Sequence, residues 1–170
     1  EYNTDEIFKL IKYFAKSVLK ADPKYLLTGV RSTRSIFGTG FISGEAIEDA
    51  IDECARLKGV KYLKDLKMPI AIPTVDIKEG KEYVFTNYIP ENAKNSAQYI
   101  TDVPIGKAVR ASSSFPAFFS PCKIQKHAFM DGGVLDNIPV NEVKKQGADK
   151  VIAVKFDADE INEESNIMDI

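Results

Sequence analysis

Phe129-Met130-Asp131-Gly132-Gly133-Val134-Leu135-Asp136-Asn137-Ile138-Pro139 is the stretch on which the reading of this chain turns. An acid leaves a short apolar run and enters two glycines. A glycine pair lets the backbone turn sharply and approach a neighbour closely, at a cost in conformational entropy. Such a turn can hold one carboxylate at the mouth of a cleft, where a base or a metal ligand is useful. The same three residues also read as an ordinary tight turn, because Asp-Gly is common in hairpins.

The flanks change the weighting. Upstream runs Ala108-Val109-Arg110-Ala111-Ser112-Ser113-Ser114-Phe115-Pro116-Ala117-Phe118-Phe119-Ser120-Pro121. Downstream of Asn137-Ile138-Pro139-Val140 comes Gly147-Ala148-Asp149-Lys150-Val151-Ile152-Ala153-Val154. In that order the set resembles the C-terminal half of the patatin-like phospholipase family, bacterial branch. There A-x-R-A-S-x-x-x-P-x-x-F-x-P leads through a short hairpin to D-G-G or D-G-A, then to N-x-P, then to G-A-D and a buried strand. Asp65-Leu66, Met68-Pro69 and the strand ending at Asp76 fit the same pattern, so the resemblance covers roughly residues 60 to 156.

The resemblance implies an α/β fold, a three-layer α/β/α sandwich. It also implies hydrolysis of lipid acyl esters, phospholipids or lysophospholipids among them, by a Ser–Asp pair through an acyl-enzyme. On that reading Asp131 is the base, carried by the Asp131-Gly132-Gly133 loop. Arg110, Ser112, Asn137 and Pro139 would support that loop. No metal or cofactor is expected, and peripheral contact with a membrane follows from the substrate class. The family's G-x-S-x-G elbow and its glycine-rich oxyanion loop have no counterpart in these 170 residues. The nearest look-alike, Gly40-Phe41-Ile42-Ser43-Gly44, is G-x-x-S-G with no buried strand before it, and Ser43 reads as a helix cap. The expectation is therefore one N-terminally truncated patatin-like domain over residues 1–170. It would be inactive alone, with open sheet edges through which copies self-associate. Two other readings stay open. One is a non-catalytic binding domain on the same fold. The other is a metal-assisted hydrolase built on Asp76, Asp131 and Asp136.

Bulk properties narrow the field. A chain of 170 residues that is 44% apolar and 28% charged can build one real core. A net charge of −2 gives no surface for nucleic acid. No run of 18 apolar residues exists to cross a bilayer as a helix. Cys54 and Cys122 lack metal spacing and, with a single histidine, make no zinc site. Two free thiols point to a reducing, cytoplasmic compartment.

Periodicity supplies the elements. Residues 5–20 read as an amphipathic helix opened by a capping pair, Asn3 with Glu6. Thr28 to Gly40 reads as a loop, and Gly44 to Leu57 as a second helix ended by Gly59. Pro69–Ile77 and Glu82–Thr86 read as a hairpin, 90–100 as a loop, and Pro104 to Ser112 as a helix behind Asp102. Cys122–Ile124 and Ala128–Met130 are short strands, Pro139–Gln146 is a helix, and Lys150–Phe156 reads as the clearest buried strand. Residues 157–170 form an acidic tail expected to fray. His127 reads as an exposed turn residue, and Asp76 as a strand-end acid that caps its turn. Phe115, Phe118 and Phe119 read as core, with an acyl-chain lining as the alternative. Asp136 and Asn137 are expected to hydrogen-bond the Asp131 loop.

Overall fold

β-Branched and aromatic residues on either side of a glycine-containing turn form the first hairpin of the computed structural model, which describes residues 3–9, 12, 43–91, 93 and 98–155. β1 (Ala71–Asp76) and β2 (Lys81–Thr86) pair antiparallel, from Ala71 opposite Thr86 to Asp76 opposite Lys81. Gly80 takes φ 62° in the turn between them. β3 (Gln98–Ile100) runs parallel to β2, inside the segment expected to be loop. Its pairing is non-local, and three residues are too few to show a period. β4 (Cys122–Ile124) and β5 (His127–Asp131) make a second antiparallel hairpin. β5 then lies antiparallel to β1, with Thr74 opposite Asp131 and Asp76 opposite Phe129. The result is one mixed five-stranded sheet in the order β3-β2-β1-β5-β4. Both edge strands are only three residues long.

Among the described residues, three helices accompany the sheet. α1 spans Glu45–Leu57, opens with acidic residues and stops one residue short of a C-cap at Lys58, with Gly59 at φ 71° beyond it. Ser43 sits one place before the N-cap Gly44, and its hydroxyl accepts the Glu45 N–H at 3.3 Å. α2 (Ile105–Ser112) starts behind Pro104, whose missing N–H costs nothing there. Asp102 does not cap it; its carboxylate pairs with Lys64 at 3.0 Å. α3 (Val140–Lys145) ends ahead of Gly147, which has φ 94°. At the start of the chain residues 4–9 are helical. Asn3 and Glu6 form the expected capping pair, each side chain accepting the other's backbone N–H at 2.9 Å.

α2 lies across β1, β5 and β4, and α1 packs on α2. Small residues on α2, Ala108 and Ala111, are fully buried and let it approach the sheet. Beneath it Phe85 and Phe129 meet edge to face at 5.1 Å and 82°, with Leu63, Val103 and Cys122 filling the space around them. Burying aromatic pairs of this kind dominates the stability of small cores.

One expected element is overturned. Residues 151–155 form no strand, with Ile152 92% and Val154 76% exposed. A β-branched run specifies extended backbone, but a strand exists only when a neighbour supplies ladder hydrogen bonds. None does so among the described residues. The remainder of the 5–20 helix, the 28–40 loop, most of 90–97 and the tail after 157 lie outside the described residues.

Candidate active site

β5 alternates. His127, Phe129 and Asp131 share one face, and Ala128 and Met130 take the other. The strand is anchored along its length by the Thr74 hydroxyl, which donates to the Met130 carbonyl at 2.7 Å. At the strand end the Asp131 N–H donates to the Ser114 carbonyl at 3.0 Å. This bond joins the end of the α2 segment to the acid. Ser114 is itself buried, and its hydroxyl donates to the Arg110 carbonyl at 2.8 Å.

Asp131 then caps a short 3-10 turn, Gly132–Val134, its Oδ1 accepting the Gly133 N–H at 2.8 Å. Oδ2 has no hydrogen-bond partner among the described residues. The side chain is half-buried, with exposed Gly133, Val134 and Leu135 beside it. The two glycines serve closeness, and neither has positive φ. A methyl group on Gly132 would stand 2.4 Å from the Pro73 carbonyl oxygen and 2.9 Å from the Thr74 nitrogen. On Gly133 it would meet only side-chain oxygens, of Asn137 and Asp131, at 3.1 Å.

The expected supports behave unevenly. Ser112 donates to the Pro73 carbonyl at 2.7 Å, the same carbonyl that Gly132 crowds. Asn137 places Oδ1 against Gly133. The loop is closed by main chain, however: the Leu135 and Asp136 N–H groups both donate to the Gly132 carbonyl at 3.0 Å. The expected Asx hydrogen bonds are absent among the described residues, because this turn already satisfies itself. Pro139 marks the start of α3 with φ −75°. Arg110 points its guanidinium at α1, Nη1 reaching Glu48 at 2.9 Å, and touches the loop only through its own carbonyl and Ser114. Pro73 and Ser114 are the supports that sequence reading under-weighted. No local signal marks a backbone carbonyl that another strand will approach.

Two further expectations change. His127 is not an exposed turn residue. Its side chain is 13% exposed, stacked on Phe129 at 5.5 Å and tilted against Tyr83 at 5.1 Å. It opens β5 four residues before Asp131, about 13 Å away at the usual strand rise of about 3.3 Å. Its partner is Asp76, which also caps its own turn as expected. Phe115 and Phe118 are not core. They are 52% and 62% exposed, on a loop where Ala117 takes φ 70°. Since Ser114 is bonded to Asp131, Phe115 begins at the acid's edge.

Asp131 and Asp136 do not join Asp76 in a carboxylate cluster. Among the described residues, the His, Cys, Asp and Glu side chains close enough to share one cation are Asp76, Glu79 and His127. Burial alone would raise the Asp76 pKa, but the Glu79 N–H, His127 and the Lys78 N–H together hold it below the ordinary value. Tyr83 is pushed up to about 12 by burial and by its bond to Glu79. Its hydroxyl therefore stays a donor at neutral pH.

Comparison with known proteins places the chain. A family model described as patatin-like phospholipase matches residues 1–144. An uncharacterized Bacillus subtilis protein, YqhO, is 31% identical over 120 residues, covering 68% of this chain and 40% of its own length. An uncharacterized NTE family protein of Mycobacterium bovis is 26% identical over 126 residues, 74% of this chain and 30% of that one. The lysophospholipase NTE1 of Scheffersomyces stipitis is 48% identical over 46 residues, 27% of this chain and 3% of that protein. The chain thus spans well under half the length of each relative.

Proposed function

This chain belongs to the patatin-like phospholipase family, and from that premise we propose that Asp131 is the base of a Ser–Asp pair in a lipid acyl-ester hydrolase. The observation that carries the reading is the state of the carboxylate. One oxygen is fixed by the Gly133 N–H, the backbone behind it is bonded to Ser114 and packed by Gly132 against Pro73, and Oδ2 has no partner among the described residues. An ordinary aspartate, with a pKa of about 3.9, is a weak base toward a hydroxyl. It works only when held within hydrogen-bond reach of that hydroxyl, with backbone N–H donors stabilising the oxyanion.

The chemistry then runs in two halves. A serine oxygen attacks the ester carbonyl carbon while its proton passes to Asp131. The tetrahedral intermediate expels the alcohol, which takes that proton. Water repeats the sequence on the acyl-enzyme, releasing the fatty acid. The serine would be contributed by sequence outside these 170 residues, so the chain alone is expected to be inactive. The exposed Phe115 and Phe118 rings, in the segment that follows the Asp131-bonded Ser114, support an apolar substrate chain and contact with a lipid surface. The name of the fungal relative supports a lysophospholipid or related ester.

The test uses a longer chain of this protein that contains a G-x-S-x-G segment. Asp131→Asn should lower p-nitrophenyl ester hydrolysis by about 10²–10⁴-fold while leaving circular dichroism unchanged. Labelling of that chain by a fluorophosphonate should locate the serine. Unchanged hydrolysis in Asp131→Asn would sink the assignment. A longer chain that folds yet neither labels nor hydrolyses would favour the non-catalytic binding domain.

A further inference from the structure

At the end of β5 remote from Asp131, three side chains converge. Asp76 closes β1 and is fully buried. Its Oδ1 accepts the N–H groups of Lys78 and Glu79 at 2.7 and 3.0 Å, and its Oδ2 lies 2.5 Å from His127 Nδ1. Glu79 brings Oε1 to 3.9 Å from the same nitrogen, while its Oε2 accepts the Tyr83 hydroxyl at 3.0 Å. One ligand atom from each of the three lies within 4.8 Å of the others.

A His–Asp ion pair accounts for two of these residues and not for the third. Two carboxylates around one imidazole leave an excess negative charge even when the imidazole is protonated. Lys78, in the same turn, forms no ion pair with either carboxylate to offset it; its ammonium donates to the Lys126 carbonyl at 3.0 Å. A divalent cation would offset it. We infer that Asp76, Glu79 and His127 form a binding site for a first-row transition-metal dication, zinc foremost.

The donor set is one imidazole nitrogen and two carboxylate oxygens. Zinc accepts imidazole nitrogen and carboxylate oxygen, and three protein ligands leave a fourth position for water. Calcium and magnesium fit poorly, since they call for six or more oxygens. Bonds of about 2.0–2.2 Å in tetrahedral geometry put ligand atoms about 3.3 Å apart. The Asp76–His127 contact therefore opens by about 1 Å and Glu79 closes by up to about 1.5 Å, which its 37% exposed side chain permits. Each carboxylate already has an orienting partner, backbone N–H groups for Asp76 and the Tyr83 hydroxyl for Glu79, as metal ligands do. The imidazole ring is held by Phe129 and Tyr83. At about 13 Å from Asp131 along the strand, the ion staples the β1–β2 turn to the β4–β5 hairpin and takes no part at the acid.

The experiment uses the chelator-stripped full chain. Titration calorimetry with zinc chloride should give one equivalent bound with a micromolar Kd. Cobalt(II) should develop visible d–d bands, and zinc at about a hundredfold excess over Kd should raise Tm by several degrees. Glu79→Gln, which leaves the Asp76 cap intact, should weaken zinc by about tenfold or more, and His127→Gln should abolish the cobalt bands. Absence of saturable one-to-one uptake by the wild-type chain would overturn the site. So would Glu79→Gln binding zinc as tightly as wild type. If His127→Gln fails to fold, Glu79→Gln alone decides.

Discussion

Gly132 sits so close to β1 that any side chain there would collide with main chain rather than with a movable side chain. The contrast with Gly133 makes a sharp test. Gly132→Ala must displace β5 from Pro73 and is expected to destabilise the chain by about 1–3 kcal/mol in urea unfolding. Gly133→Ala, facing only side-chain oxygens, should cost distinctly less. Equal losses would mean that the close approach is not what fixes the Asp131 loop. At this scale the sequence was legible where chemistry is local. The acid with its glycine pair, Asn3 with Glu6, and Asp76 over its own turn all rest on neighbours within four residues. It was not legible where a partner comes from far along the chain. His127 looks like a turn residue until Asp76, 51 positions away, is brought to it by the β1–β5 pairing. Phe115 and Phe118 look like core, yet both are exposed on a loop in which Ala117 is left-handed.

The element scale shows the same division. α1, α2 and the β1–β2 hairpin have enough length for their periods to show, and glycines mark where α1 and α3 must stop. β3 has neither length nor period, and only β2 makes it a strand. Lys150–Phe156 is the converse. Its composition is that of a strand, but composition cannot supply a neighbour. The β4–β5 hairpin carries its own defect. Ile124 pairs with His127 across a two-residue turn whose first member, Gln125, takes φ 54°. That conformation disfavours a Cβ by about 1–2 kcal/mol, and glycine is the preferred residue there. After allowing for the greater chain entropy of glycine, Gln125→Gly should stabilise the hairpin by up to about 1 kcal/mol. A fall in the urea midpoint would show that the Gln125 side chain contributes more than its backbone conformation costs.

At the scale of the whole molecule the described core centres on the face of the sheet that α2 covers. Aromatic and aliphatic residues of β1, β2 and β5 are sealed by α2 and α1, while the run ending in Val154 lies open. Ile152 and Val154 offer apolar surface on backbone that joins no strand among the described residues, the combination that promotes edge-to-edge association. The proposal of self-association is checked directly. The chain should bind the dye ANS and sediment with concentration-dependent mass, and the double variant Ile152→Lys, Val154→Lys should reduce both. A wild-type chain that stays monomeric without dye binding would remove this proposal and leave the α/β core as described.

The antiparallel register of β5 on β1 has one more consequence. Side chains along a strand alternate, so sliding β5 by a single place would send its terminal carboxylate to the far side of the sheet. What assigns the acid its side is a count of residues between the Ile124–His127 pair and the Thr74–Asp131 pair. Substitutions that keep that count leave the acid on its side, whereas one inserted or deleted residue within the strand would turn it to the opposite face while leaving every local motif intact.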